Sequence, residues 1–389
     1  MSMGFGRLAD VPLRRERSDG IDALRAVLAL WVVLAHLIPW TAAVQGPHAL
    51  PAELAGAALF AARVFQPFGE LHPAVLAFIV LSGYCIHRGG LRQRMPGALA
   101  GYAVRRFFRI GPLYYVAIGA GLAGFIAAAA RSPSLAVALS GTTTLNAGCV
   151  AAKALALSAF FPGLQQCVFL GNAPLVTVLV EIVLYILYAV AFVGLVWRGR
   201  ERAVGIACGT LFVFSLAMLG YGVSAPFDGW WQNGSVFAFL PYWWLGVAFA
   251  NPDFARTCNR RLWLIVAAWG LLTVLLLTTA PPGVLAWAEI RKLCFALAVG
   301  VLIERVDREN LQGSWLLAPL GRAGYGLYAI HAPLTYSLLI YGAPWWSVLI
   351  ADIAAGLLIH QMIERPMIGL GRSLQGRLAP GRGLAVHRS

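Results

Sequence analysis

The run IDALRAVLALWVVLAHLIPWTAAV, residues 21–44, decides the fold class of this chain. Most of its positions are apolar, and about 20 such residues are enough for an α-helix to cross the hydrocarbon core of a bilayer. The run is also longer than the apolar core of a cleaved signal peptide, which spans about 7 to 15 residues. The sequence therefore predicts a retained membrane-spanning helix that follows a basic N-terminal tail.

The composition of the whole chain is that of a membrane protein. Of its 389 residues, 60% are apolar and 12% are charged, whereas a soluble globular domain has about 25% charged residues. The formal charge of +14 would indicate nucleic acid in a soluble protein, but in a polytopic protein it is typical of cytoplasmic loops. We expect the lipid bilayer, and not nucleic acid, as a partner. The six cysteines include no close CxxC pair and predict no metal site.

Further apolar segments follow the first along most of the chain. They lie at about 73–88, 110–130, 173–197, 203–223, 235–250, 262–280, 284–303, 315–341 and 345–363. We therefore predict an all-α polytopic membrane protein with about ten transmembrane helices. An additional interfacial helix is predicted at 53–65.

The positive charges predict the orientation of these helices. With a cytoplasmic N-terminus, 24 Lys and Arg residues fall in cytoplasmic segments and three fall on the opposite side, as the positive-inside rule requires. Both termini are then cytoplasmic. We predict three parts: a basic tail at 1–20, a membrane domain at 21–364 and a second basic tail at 365–389. The long outer loop at 132–172 contains Cys149 and Cys167, and the sequence leaves open whether they form a disulfide.

Ionisable side chains within the spans indicate where function resides, because each is costly in lipid unless it is paired or hydrated. Arg25 and His36 are eleven residues apart, which is close to three turns of one helix. They share a face, and the rise between them is about 16 Å. Arg25 is then a cation near the cytoplasmic end of the helix, and His36 is a proton acceptor about halfway through the membrane. This arrangement suits an anionic cofactor that enters from the cytoplasm.

Several motifs occur in order along residues 18 to about 370. They are GIDALRAVLALWVVLAH at 20–36, FIVLSGYCI at 78–86, RRFFRIGPLYY at 105–115, PLVTVLVEIVLYIL at 174–187, GRAGYGLYAIHAPL at 321–334 and IERPM at 363–367. This series resembles the integral-membrane acyltransferases of family 3, in which an Arg and a His separated by ten residues open the chain. That arrangement falls here on Arg25 and His36.

The resemblance implies a membrane enzyme that transfers acyl groups other than amino-acyl groups. Members move an acyl group, usually acetyl from acetyl-CoA, to a hydroxyl of an extracytoplasmic or lipid-linked glycan such as exopolysaccharide or lipopolysaccharide. By resemblance His36 is the general base and Arg25 its catalytic partner. Glu181 is a further catalytic candidate, although Val176 and Thr177 stand where the family has Trp and Ser. The implied location is the cell membrane, in bacteria the inner membrane, and no metal is implied.

Other residues are candidates for binding roles. Arg106 and Arg109, three apart on one helix face, could bind CoA phosphates or could only set topology and contact lipid headgroups. His331 could line the substrate cavity together with Tyr328, or could simply bond across helices through that tyrosine. Ser82 is expected to be a small packing residue.

The remaining buried charges have weaker motif support. Glu181 needs a partner in lipid, either a histidine, an arginine or the acceptor sugar. Glu289, Arg291 and Lys292 are predicted to pair with one another at a helix end. Asp352 and His360 belong to none of these motifs and are expected to be structural.

Two other functions fit the same composition. A proton-coupled secondary transporter of a small solute also has buried His, Glu and Arg side chains, but we find no repeat between 20–190 and 200–370. A non-catalytic membrane scaffold leaves Arg25 and His36 unexplained. For His36 alone, the alternative is a core histidine that donates to a backbone carbonyl.

Overall fold

In the computed structural model the described residues form helices, short turns and no strand. These residues are 18–66, 72–90, 98–131, 133, 134, 137, 146–155, 172–191, 201–220, 236–279, 281–309 and 314–378. The predictions for the N-terminal tail up to residue 17, for Cys167 and for the C-terminal end from residue 379 fall outside them.

The described residues form fifteen α-helices. In chain order they are α1 (Asp19–Gln45), α2 (Ala52–Phe65), α3 (Pro73–Gly90), α4 (Ala98–Arg131), α5 (Ala147–Ala154), α6 (Leu175–Ala191), α7 (Glu201–Gly220), α8 (Val236–Phe249), α9 (Pro252–Arg260), α10 (Leu262–Thr279), α11 (Val284–Glu309), α12 (Ser314–Arg322), α13 (Gly324–Ile340), α14 (Trp345–Ile359) and α15 (Arg365–Leu378). A π-helical turn, His360–Glu364, joins the last two.

Local sequence explains where α1 begins and ends. The side chain of Ser18 accepts a hydrogen bond from the backbone N–H of Ile21, which satisfies one of the free donors of the first turn. Asp19 and Asp22 lie in that turn, where negative charge is favourable. The helix ends at Gly46, whose φ of 93° is a left-handed value that glycine adopts without steric cost.

Five segments of the described chain are long and apolar enough to cross a membrane. They are Asp19–Gln45, Leu99–Arg131, Glu201–Gly220, Leu262–Thr279 and Trp345–Gly376. Three shorter helices, Pro73–Arg88, Leu175–Ala191 and Val236–Phe249, are also apolar. These helices make the chain a multi-pass membrane protein, while the predicted number of ten spans and the orientation of the termini stay predictions.

One predicted span differs from the structure in an instructive way. The segment 315–341 is two helices, α12 and α13, which are separated at Ala323. Pro319 and the glycines at 321 and 324 weaken helix continuity there. A Cβ on Gly321 would lie 1.5 Å from the carbonyl oxygen of Asp22, so the break lets α12 approach the backbone of α1.

The packing of α1 and α3 places the candidate residues inside the helix bundle. Helix α1 contacts α3, α12 and α13, and α3 packs along α8. A Cβ on Gly83 would lie 2.0 Å from the carbonyl oxygen of Trp243, and one on Gly246 would lie 2.0 Å from that of Val80. Since small residues let helices approach closely in lipid, α3 is firmly fixed against α8.

The short helix α5 contains most of the described residues of the long loop. Cys149 in this helix is disulfide-bonded, whereas Cys85, Cys208, Cys258 and Cys294 are free. Lys153 is also in α5, and its burial lowers the pKa of its amine to about 8. Because a disulfide persists outside the reducing cytoplasm, the bond at Cys149 is consistent with an outer position of this loop.

The ion pairing predicted among Glu289, Arg291 and Lys292 on α11 is found in part. Lys292 and Glu289 form an ion pair, as expected. Arg291 instead donates to the carbonyl oxygens of Val64 and Phe65, at 2.6 and 2.8 Å. The last carbonyls of a helix lack partners within it and attract cations, so Arg291 holds the end of α2.

Candidate active site

The two histidines of the predicted site meet between α1 and α13. Nε2 of His331 lies 3.1 Å from Nδ1 of His36. His331 is fully buried, whereas His36 is partly exposed. The ring of Trp40, one turn after His36, lies 5.0 Å from the His36 ring between centroids. Of the pair, His36 is therefore the histidine that a substrate can reach.

Backbone carbonyls determine which nitrogen of each histidine carries a hydrogen. A carbonyl oxygen only accepts, so the nitrogen that faces it must donate. Nδ1 of His331 lies 2.8 Å from the carbonyl oxygen of Tyr328, and Nδ1 of His36 lies 3.0 Å from that of Val32. With both Nδ1 atoms protonated, Nε2 of His331 accepts from His36 and Nε2 of His36 keeps its lone pair. His36 therefore makes the backbone-carbonyl contact expected of a core histidine. The lone pair on its Nε2 still allows it to act as a base.

Residues just before α6 form hydrogen bonds to α13 near the histidine pair. Pro333 has no N–H, so it leaves the carbonyl of Ala329 without its usual helical donor. Nδ2 of Asn172 takes that place and donates to the Ala329 oxygen at 2.8 Å. The hydroxyl of Tyr328 donates to the carbonyl oxygen of Pro174 at 3.2 Å. These bonds fix the segment of α13 that carries the buried histidine.

Arg25 is held by partners from α1 and α3. One guanidinium nitrogen donates to the carboxylate of Asp22 at 2.7 Å, and the other lies 3.3 Å from Sγ of Cys85. The side chain of Arg25 is 22% exposed, and that of Asp22 is 3% exposed. The guanidinium is therefore oriented by a buried carboxylate while part of it stays open to a ligand.

Glu181 lies in a polar cluster where α3, α6 and α8 meet. Its Oε1 accepts from the Ser82 hydroxyl at 2.6 Å and from the Tyr185 hydroxyl. Nε1 of Trp243 donates to Oγ of Ser82 at 3.3 Å. We call these four residues the Glu181 cluster. The partners of Glu181 in this cluster are hydroxyls, and its catalytic role stays a prediction. Ser82, which was expected to be a packing residue, also donates a hydrogen bond because α3 packs beside α6.

The two arginines predicted to bind the cofactor lie beside this cluster. The guanidinium of Arg106 lies over the rings of Tyr102 and Tyr185, at 5.5 and 5.4 Å from their centroids. Its Nε is buried and has no hydrogen-bond partner within the described ranges. Arg109 is half-buried and acts electrostatically on the same Tyr185 hydroxyl. Both cations therefore lie near the Glu181 cluster.

The other candidates have partners of their own. The buried Asp352 accepts from the hydroxyl of Thr335 at 2.7 Å. Nδ1 of His360 lies 2.7 Å from Oε2 of Glu364, the acidic residue of the IERPM motif. Among the residues that the structure describes, no group of three or more His, Cys, Asp and Glu side chains could hold a metal ion.

Sequence reasoning missed several residues that contact the site, including Asp22, Trp40 and Trp243. Tyr185 follows Glu181 by four residues and Cys85 follows Ser82 by three, so the helical neighbour spacing could have indicated both. Asn172 carries no such signal. Asn172 donates to the Ala329 carbonyl, which lacks a helical donor because of Pro333. Both residues lie on α13, which is distant from Asn172 in sequence.

Comparison with known proteins bears on the same segment. The acyltransferase 3 family, described as an acyltransferase domain, matches residues 18–360. No curated protein and no solved structure matches the chain. The family match covers most of the sequence and includes the histidine pair, Arg25 and the Glu181 cluster. The chain therefore belongs to the acyltransferase 3 family.

Proposed function

We propose that this protein is an O-acyltransferase that moves an acyl group, usually acetyl, from acyl-CoA to a hydroxyl of an extracytoplasmic or lipid-linked glycan. The histidine pair is the observation that carries the proposal. His36 is partly exposed, and the contacts of its Nδ1 leave a lone pair on Nε2. A sugar hydroxyl is a poor nucleophile until a base removes its proton. Family membership supplies the reaction class.

The reaction needs one proton acceptor and a fixed orientation of its ring. Nε2 of His36 takes the proton of the acceptor hydroxyl while that oxygen attacks the thioester carbonyl carbon. The carbon–sulfur bond then breaks, and the departing CoA sulfur receives the proton from Nε2. During the step His36 is an imidazolium whose Nδ1–H is accepted by His331 at 3.1 Å. In this mechanism His331 orients the base, a role that differs from the substrate contact predicted for it.

The acyl-CoA donor would be held by the cationic side of the site. CoA carries a pyrophosphate and a ribose phosphate, which arginine recognises by paired hydrogen bonds. Arg106 and Arg109 are half-buried, and Nε of Arg106 is a buried donor without a partner in the described chain. Arg25 also interacts electrostatically with Tyr185, so it is the third cation of the proposed donor site.

The proposed orientation places the donor in the cytoplasm and the acceptor outside, in a bacterial inner membrane. The disulfide-bonded Cys149 supports an outer position of α5. Lys153 is buried, so Ala151, which is exposed, is the better position for a reporter cysteine. A membrane-impermeant thiol reagent should label Ala151→Cys from outside intact cells, and labelling only after lysis would contradict this orientation.

The proposed function is tested by thioester-dependent product formation. Purified protein in lipid should release free CoA only when both acetyl-CoA and a glycan acceptor are present, and should form one ester for each CoA released. The rival, a proton-coupled transporter, predicts solute flux into proteoliposomes without consumption of the thioester. Release of CoA at the same rate with and without any acceptor would contradict transfer.

A further inference from the structure

A third histidine lies near the histidine pair. His72 directly precedes α3 and belongs to none of the sequence motifs. Its ring packs edge-to-face against the ring of Trp31 on α1, with 5.3 Å between centroids, and it interacts electrostatically with His36. His36 therefore has two histidine neighbours, one from α13 and one from the start of α3.

The backbone determines which nitrogen of His72 carries a hydrogen. The N–H of Ala74 donates to Nδ1 of His72 at 3.3 Å. A ring nitrogen that accepts is not protonated, so the ring is neutral and its hydrogen is on Nε2. His72 is partly exposed, and its Nε2 makes no hydrogen bond among the residues that the structure describes. His72 therefore presents an N–H, whereas His36 presents a lone pair.

The contact with Ala74 also gives His72 a structural role. The carbonyl oxygen of His72 accepts from the N–H groups of Val75 and Leu76, at 2.9 and 3.1 Å, so His72 is the N-cap residue of α3. Its Nδ1 satisfies one of the free donors of the first turn. The cap uses Nδ1 alone and leaves Nε2 available for a different function.

Acyl transfer needs a hydrogen-bond donor near the base. When a hydroxyl oxygen attacks the thioester, negative charge develops on the carbonyl oxygen, and a donor fixed at that position stabilises the transition state. Nδ1 of His331 and the amide of Asn172 already donate to backbone carbonyls. A donor to the attacking oxygen would instead occupy the lone pair that forms the new bond.

We propose that Nε2–H of His72 donates a hydrogen bond to the carbonyl oxygen of the acyl group during the attack. This inference rests on the proposed acyl transfer and adds a second catalytic histidine to it. A neutral imidazole can polarise a carbonyl in this way. A cation at this position would lower the basicity of His36, so the neutral form of His72 suits a donor beside a base.

His72 keeps its hydrogen throughout the reaction. Nε2 of His36 takes the proton of the hydroxyl while the new carbon–oxygen bond forms, and the carbonyl oxygen, now negatively charged, accepts from His72. The carbon–sulfur bond then breaks and the carbonyl forms again. The proton on His36 passes to the sulfur of CoA.

Two substitutions separate the donor from the cap. In His72→Asn the side-chain oxygen can accept from the N–H of Ala74, and Asn is a favoured N-cap residue, but the shorter side chain does not reach the position of Nε2. In His72→Gln the longer amide can place an N–H near that position, whereas the cap is weaker.

The measurements are kcat at saturating acetyl-CoA and acceptor, and the temperature of unfolding in detergent. His72→Asn should unfold near the wild-type temperature and lose at least about ten-fold in kcat, as expected for the loss of one hydrogen bond to a charged group. His72→Gln should unfold at a lower temperature and retain a higher kcat than His72→Asn. If His72 only caps α3, the order of the two rates is reversed, and that result would overturn the proposal.

The exposed His48 provides a matched control. It lies in the connection between α1 and α2, and His48→Asn makes the same chemical change as His72→Asn. This control should keep the wild-type kcat. If the wild type transfers acyl groups and folded His72→Asn does so at the same rate, the assignment of His72 fails while acyl transfer stands. A wild-type protein that transfers no acyl group would contradict the proposed function itself.

A spectroscopic measurement tests the hydrogen bond without turnover. The infrared stretching frequency of the thioester carbonyl is recorded for isotope-labelled acetyl-CoA bound to the wild type and to His72→Asn, in the absence of acceptor. A hydrogen bond weakens the carbonyl bond, so the frequency should be lower in the wild type. Equal frequencies in the two proteins, both saturated with acetyl-CoA, would overturn the proposal.

Discussion

The histidine pair and the Glu181 cluster are held in place in different ways. Each histidine is fixed by a carbonyl of its own helix, from Val32 for His36 and from Tyr328 for His331. The Glu181 cluster is made of side chains from three helices that bond to one another. Backbone carbonyls cannot rotate away, whereas hydroxyls and carboxylates can exchange partners with a ligand. In the proposed reaction, this difference suits a rigid site for proton transfer and an adaptable site for binding.

Outside the histidine pair, loss of Arg25 should have the largest effect on kcat/KM, because its guanidinium is bonded to a buried carboxylate and is itself partly exposed. Arg25→Ala removes a charged hydrogen-bond donor, worth about 1.5 to 3 kcal/mol, and should weaken both acyl-CoA binding and transfer. The buried carboxylate of Asp22 would lose this guanidinium, so the double variant Arg25→Ala/Asp22→Asn is the folding control. Steady-state kinetics and equilibrium binding on both proteins check the prediction. A change confined to KM would show that Arg25 serves binding alone.

Replacing His331 separates orientation of the base from binding. His331→Leu removes the acceptor of the His36 Nδ1–H, and we expect the transfer rate to fall roughly ten- to a hundred-fold while the Kd of acyl-CoA is unchanged. His331→Gln retains an acceptor oxygen and should recover part of the rate. Equal losses in Leu and Gln variants would indicate that His331 contributes packing only.

Arg106 and its neighbour provide a matched pair on the binding side. Arg106→Gln should raise the Kd of acyl-CoA about ten-fold and leave the rate at saturation nearly unchanged. Arg105→Gln makes the same change of charge one residue away and should alter the Kd less than about two-fold. Isothermal titration or filter binding measures both. Similar shifts in the two variants would support the topology and headgroup role instead.

The smallest effect is expected at the support of α13. Asn172→Ala leaves the carbonyl of Ala329 unsatisfied and should lower the free energy of unfolding by about 1 to 3 kcal/mol. In Asn172→Ala/Pro333→Ala the new N–H at 333 can bond to that carbonyl, so part of the stability should return. Thermal unfolding in detergent compares the two. A double variant no more stable than the single one would assign the loss to another contact.

Much of the fold could be predicted because lipid imposes long apolar runs. The runs predicted α1, α3 and α10 closely, whereas the break at Ala323 depends on how near α12 approaches α1. The motifs gave His36 and His331 but not their mutual contact. The partners of Glu181 and Arg291 could not be predicted, because a single sequence does not show which helices are neighbours.

The assignment of His36 as the base is tested most directly by the rate of acyl transfer by His36→Ala when the protein is saturated with acyl-CoA. Removal of a general base typically lowers a rate by about 10² to 10⁴-fold, and the arginines and the Glu181 cluster should keep the Kd of acyl-CoA near the wild-type value. The folded variant should bind acyl-CoA and form almost no ester. Ester formation at near the wild-type rate would contradict the assignment of His36 as the base.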